Sequence, residues 1–211
     1  TRSDRDWSSD VCSSDLCGDN RGGCGGWADA AVIVPWELYR AYGKKEILKE
    51  NYAMMKAWVE FQNSVSNRNN GLRVVNGKPV PEQSDLAETP YIQIQQRRGD
   101  HLTYDRSTPF ILSATAYAAH SALVMVRAAK ALGYREDERK YRRLYNTIKK
   151  AFWEAWVEED GTLSYWGEMS FDDVNRTYYS DKPGSKHHPS QTAYALAIDF
   201  GLIDVKKYPR A

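Results

Sequence analysis

Apolar residues in this chain gather into five stretches of helical period, separated by polar and glycine-rich connections. The first stretch, about Asp29 to Tyr42, is apolar nearly all round at its start and ends before Gly43. Pro35 lies inside it and should bend the helix or make its first turn irregular. The second, about Lys45 to Val65, places Leu48, Tyr52, Met55 and Val59 on one face and Lys44, Lys45, Lys49, Lys56 and Glu60 on a wet one. The segment from Asn67 to Asp105, rich in Asn, Gly, Pro and Gln, is a connection long enough to carry function or to move. A third helix opens with Thr108 as N-cap and Pro109 at its first position, and stops at Gly133. It carries no charge between Phe110 and Val126, which predicts burial on most sides. The fourth, about Asp137 to Val157, sets Tyr141, Leu144, Ile148, Phe152 and Trp156 in a stripe opposite Arg139, Arg142, Arg143, Lys149 and Lys150. After an irregular segment from Glu158 to Pro189, the fifth, about Gln191 to Phe200, is small, apolar and closed by Gly201.

The order is buried, amphipathic, buried, amphipathic, buried. Helices without a polar face must lie inside, and helices with a single stripe must cover them. Each consecutive pair is then a helical hairpin, and hairpins repeated around an axis make a double-layered α/α toroid. A simple bundle does not explain why every second helix lacks a polar face. The fold class is all-α, with room only for short ribbons in the two long connections. Five helices make two and a half hairpins, an arc in which the fifth helix has no outer partner.

Residues 1–16 do not share this pattern. They contain Ser-Ser-Asp twice, show no periodicity, and lack the basic start and apolar run of a secretory signal. The stretch resembles translated sequencing-adapter sequence, so the expectation is a non-native leader over 1–16 and a partial domain over 17–211. The 42% hydrophobic and 12% aromatic content of the chain suffices for a core. Twenty-nine basic residues against 28 acidic leave a net charge of +1, which argues against nucleic acid or a polybasic membrane surface as partner. No apolar run approaches the roughly 20 residues that span a bilayer. Cys12, Cys17 and Cys24 have no histidine at metal spacing; Cys17 and Cys24 could pair, though nothing requires it.

Candidate chemistry lies where connections enter the buried helices. Trp27-Ala28-Asp29 follows a Gly-Gly hinge and offers an indole face beside a carboxylate; stacked CH groups and donated hydroxyls are how such a pair takes a carbohydrate. The plainer reading is an N-cap next to a buried tryptophan. Arg97-Arg98-Gly99-Asp100-His101 and His187-His188-Pro189-Ser190-Gln191-Thr192 enter the third and fifth helices. Loops entering inner helices gather at one rim of a toroid, so Asp29 and Asp100 are expected to converge there; Asp100 after Gly99 equally fits a turn. Adjacent His187 and His188 lack a carboxylate partner at helical spacing, so no metal site is expected. His120 suits a core position, and Glu168, Asp172 and Asp173 a solvated acidic cluster. No phosphate loop or nucleophile elbow is present.

At Gly25–Gly43, Tyr52–Val59, Gly99-Asp100, Thr108–Ala122 and Gln191–Leu202 the chain resembles the six-hairpin domain of bacterial α-L-rhamnosidases, glycoside hydrolase family 78. The resemblance implies a partial (α/α)6 barrel and a rhamnose-containing glycan or glycoside as partner, with no cofactor. It implies inverting hydrolysis of terminal α-L-rhamnosides by a carboxylic acid and a carboxylate base roughly 6.5–9.5 Å apart. Trp27, Asp29, Asp100 and His101 are the substrate-binding residues it suggests. His101 stands where relatives carry tryptophan, which puts a second stacking platform in doubt. The acid of relatives lies in an Asp-Glu-Arg-type motif upstream of Gly-Trp-x-Asp, unmatched here, and the base lies late in the barrel. Neither is assigned to a residue, and the chain alone is expected to be inactive. Another six-hairpin glycosidase, or a non-catalytic helical-repeat module binding carbohydrate or protein, would share the fold.

Overall fold

The computed structural model describes residues 25–64, 66, 74–75, 78–79, 91, 108, 110–166, 169–172, 177–180, 186–187 and 190–210. Among these lie five helices: α1 (Ala30–Tyr42), α2 (Lys45–Ser64), α3 (Phe110–Leu132), α4 (Arg135–Trp156) and α5 (Gln191–Asp199). The punctuation expected from sequence sets most boundaries. At the end of α3, the Gly133 N–H donates to the Lys130 carbonyl (3.2 Å) and the Tyr134 N–H to that of Ala129 (2.9 Å). That paired closure needs the left-handed backbone at Gly133, φ 80°. The same two bonds close α5 through Gly201 and Leu202. α5 starts on Ser190, whose hydroxyl accepts the Ala193 N–H at 3.0 Å. α1 runs through Pro35 without interruption.

The helices form two layers. The Tyr52 hydroxyl and the Lys56 ammonium of α2 donate to Asp137, while Lys140 and Tyr141 of α4 donate to Glu60. Partners advance together along both helices, so α2 and α4 run parallel. α1 turns back from α2 and α3 from α4, which makes α1 and α3 parallel to each other in the opposite sense. The starts of α3 and α5 meet where the Thr108 hydroxyl hydrogen-bonds that of Ser190. This is an inner layer of α1, α3 and α5 backed by an outer layer of α2 and α4.

α3 is the centre. Ala114, Ala116, Ala118, Ala119, Ala122, Ala128 and Ala129 are all buried, and such small side chains let neighbouring axes come close. Its first half packs with Ile148, Phe152 and Trp156 of α4, Ala193 and Ala197 of α5, and Leu202 and Ile203. Its second half packs with Val32 of α1, Leu48, Met55 and Val59 of α2, and Tyr141. Side chains of α4 also seize the turn after α5. Tyr145 donates to the carbonyls of Phe200 (3.2 Å) and Gly201 (2.9 Å), Lys149 to Gly201 (2.5 Å) and Trp153 to Leu202 (2.7 Å).

Two expectations need correction. α1 is not enclosed: Val34, Leu38 and Tyr42, one helical stripe, are 50%, 41% and 67% exposed. α5 buries only Ala193 and Ala197. Both are inner helices at the flanks of the arc, and the described residues supply a neighbour on one side only. α3, flanked on both sides, is buried as its sequence requires. The long connections carry the anticipated ribbons, antiparallel pairs of β1 (Val74–Val75) with β2 (Lys78–Pro79), β3 (Tyr165–Trp166) with β6 (Lys186–His187), and β4 (Met169–Asp172) with β5 (Thr177–Ser180). The leader over 1–16, the three cysteines, Asp100, His101, Pro109, Glu168, Asp173 and His188 lie outside the described residues. No helix among the described residues is long and apolar enough to cross a membrane.

Gly161 sits in the left-handed region (φ +86°), and a Cβ built there would lie 2.3 Å from the Cβ of Tyr208. Gly43 shares the conformation (φ +70°) but faces open space. Gly43→Ala should therefore cost about 1 kcal/mol of stability, from backbone strain alone, and Gly161→Ala roughly 3 kcal/mol or more. Urea midpoints of the two variants check the ranking, and equal losses would contradict it.

Candidate functional site

The turn before α1 is built on one carboxylate. Gly26 adopts φ +88° and its N–H donates to Oδ2 of Asp29 at 2.8 Å. Oδ1 of Asp29 accepts from Trp58 Nε1 (2.9 Å), Gln62 Nε2 (3.0 Å) and Ser121 Oγ (2.5 Å). One side chain thus joins the turn, the outer helix α2 and the inner helix α3. Asp29 has no exposed surface. Burial pushes its pKa above the usual carboxylate range, against the pull of the four donors. No cation pairs with it among the described residues.

Asp29 occupies the N-cap position, but its side chain makes no capping bond. The preceding turn already serves the helix start: Ala30 N–H donates to the Trp27 carbonyl, Ala31 to Ala28, and Val32 and Ile33 to the Asp29 carbonyl. With those donors satisfied, the carboxylate is free to point back and inward. A sugar hydroxyl meeting Asp29 directly would have to reach a group with no exposed surface that already holds four donors. Trp27, by contrast, lies at the surface with 36% exposure, between Gly26 and the buried Ala28. Sequence reasoning missed Trp58, Gln62 and Ser121. Gln62 did leave a signal, since it continues the buried stripe Met55–Val59 at helical spacing although it is polar.

The three inner starts do not form a flat rim. The Thr108–Ser190 contact sets the starts of α3 and α5 side by side. The turn before α1 meets α3 further along: a Cβ on Gly26 would lie 3.2 Å from the Tyr117 ring, and Asp29 holds Ser121. At 1.5 Å per residue this steps the Trp27 turn down α3 by roughly 10–16 Å. The expected convergence of Asp29 with Asp100 falls outside the described residues, as does His101. His187 belongs to β6, and no group of three metal-ligating side chains occurs among the described residues.

His120 lies one residue before Ser121, its ring stacked on that of Phe200 (centroids 4.0 Å apart, planes 22°). Its buried Nδ1 has no hydrogen-bond partner among the described residues. Burial, then the positive charge of Arg127, lowers its pKa to about 4, while Asp199 and Glu37 pull the other way.

Parallel inner helices backed by antiparallel outer ones, with an aromatic turn entering the inner layer, define an arc of a double-layered α/α toroid. The family model for the bacterial α-L-rhamnosidase six-hairpin glycosidase domain matches residues 15–211, and the chain belongs to that family. An α-L-rhamnosidase of Alteromonas sp. (strain LOR) is 30% identical over 181 residues, 84% of this chain and 16% of the relative. One from Streptomyces avermitilis is 34% identical over 142 residues, 67% of this chain and 11% of the relative. The crystal structure of a Streptomyces avermitilis α-L-rhamnosidase complexed with L-rhamnose superposes with a TM-score of 0.60 at 28% identity, over 94% of this chain and 16% of that one. The chain spans about one sixth of the length of the first of these relatives.

His120 gives the stability a predictable pH dependence. Its folded pKa of about 4 lies below the ordinary 6.5, so between these values the unfolded chain binds the extra proton. Its contribution is complete above about pH 6.5 and is lost as the pH falls towards about 4. His120→Gln should lose less of its urea midpoint than the parent chain between about pH 7 and pH 4.5. Parallel acid limbs would show that the imidazole is not kept neutral by the fold.

Proposed function

We propose that this segment contributes to the sugar-binding mouth of an α-L-rhamnosidase that hydrolyses terminal α-L-rhamnosides with inversion. The carrying observation is the surface indole of Trp27 on a turn fixed from beneath, in a chain whose family is that of the rhamnosidase six-hairpin domain. An indole face matches the CH face of a deoxy sugar, which it desolvates without demanding a hydrogen bond. Asp100 and His101, on the connection into α3, supply polar contacts to the same sugar in this reading. In the parent reaction a carboxylic acid protonates the leaving oxygen while a carboxylate base activates water on the opposite face of the ring. Neither group is assigned to a residue of this chain, and the 211 residues alone bind rhamnose without turning it over.

Calorimetric titration with L-rhamnose is the test. Trp27→Ala should raise the Kd about tenfold, the loss of one stacked face. Unchanged affinity would remove Trp27 from the site. Hydrolysis of a chromogenic α-L-rhamnoside by the purified chain would overturn its inactivity.

A further inference from the structure

Asp29 divides its two oxygens between two tasks. Oδ1 takes three donors from the helix framework, Trp58 and Gln62 on α2 and Ser121 on α3. Oδ2 takes the N–H of Gly26, one residue before Trp27. On the other side of Trp27, Ala28 is buried and its carbonyl receives the Ala31 N–H at 3.0 Å. The Trp27 backbone is therefore clamped at both neighbours, and on the Gly26 side the Asp29 carboxylate references the clamp to α2 and α3.

Each part of this arrangement has a chemical reason. A carboxylate is acceptor-only, so four converging donors can all be satisfied; an amide in its place would present N–H groups to one side. Gly26, at φ +88°, lies outside any helix or strand, and its buried-side N–H needs an acceptor that secondary structure does not supply. Its missing side chain also admits the Tyr117 ring, 3.2 Å from where a Cβ would stand. A carboxylate with no cation beside it among the described residues is costly to bury, and the four directed bonds offset part of that cost. The turn is thereby held to one arrangement.

We propose that Asp29 is a positioning residue for sugar binding: its carboxylate fixes the Gly26–Trp27 turn against α2 and α3, and so holds the Trp27 indole in place for the ring that stacks on it. This rests on the stacking role of Trp27 proposed above. It assigns Asp29 no contact with the sugar. Affinity then depends on Asp29 through preorganisation of one aromatic platform.

Fluorine NMR of the full chain labelled with fluorotryptophan, with the Trp27 signal assigned from Trp27→Phe, separates the possibilities. Asp29→Asn keeps the size of the side chain but turns one acceptor into a donor. It should shift and broaden the Trp27 signal, leave the Trp153 and Trp156 signals in place, and raise the L-rhamnose Kd about tenfold, as Trp27→Ala does. A weakened affinity with an unmoved Trp27 signal would mean that Asp29 acts on the sugar itself, and would overturn the proposal. Ser121→Ala, which removes one donor and keeps the charge, should shift the Trp27 signal in the same direction by less; no shift there overturns the proposal even where Asp29→Asn fails to fold. If Trp27→Ala leaves the Kd unchanged, the stacking reading fails, whereas the fluorine shifts still report whether the turn is held by Asp29.

Discussion

A helix of 23 residues with charge only in its last turns cannot face water, and α3 imposes that condition on everything around it. Its alanines bury little area each, so stability has to come from the larger side chains of four neighbours closing upon it. Small residues on α3 let those neighbours approach, and Leu48, Met55, Tyr141 and Phe152, all fully buried, fill the space between. Amphipathic α2 and α4 can supply one face each and no more. The rest of the surface of α3 goes to α1 and α5, which explains why helices with few charges stand on either side of it.

Apolar packing is non-directional, however, and a smooth alanine surface does not by itself fix how far α1 slides along α3. The Asp29 carboxylate supplies what the apolar contacts lack. Its donors come from positions 3, 29, 33 and 92 residues away, and all four are satisfied in one register only. A shift of one residue along the helix, about 1.5 Å, would leave a buried charge short of partners. The same logic works at the other flank. Ser190 with Thr108, and Tyr145, Lys149 and Trp153 on the carbonyls of residues 200–202, set the register of α5.

Helix positions were legible because their signals are local. Gly43, Gly133 and Gly201 closed helices where the sequence placed them, and the stripe of α4 was buried at Tyr141, Ile148, Phe152 and Trp156. Exposure at α1 and α5 was not legible. Val34, Leu38 and Tyr42 are as apolar as the buried positions of α3, and only the presence of a neighbour distinguishes them. Asp29 misled for a related reason. An aspartate before a helix has the local pattern of a cap, and nothing within a few residues reveals that Trp58, Gln62 and Ser121 will claim it. Of the site residues expected from sequence, Trp27 lies at the surface rather than buried as the plainer reading had it, while Asp29 stands behind that turn.

The two sets of directional bonds share one reference. Ser121 and Thr108 belong to α3 or its entry, and Tyr145, Lys149 and Trp153 to α4, so both flanking helices are registered against the same central hairpin. The stagger follows from this. α5 is tied level with the start of α3, and α1 is tied about three turns further on. A surface aromatic at the start of α1 is thus held at a fixed depth relative to the entries of the other inner helices, although the segment that bears it is a five-residue turn with no strand or helix of its own. Rigid helices set that depth, and one buried carboxylate transmits it across a single peptide to the indole.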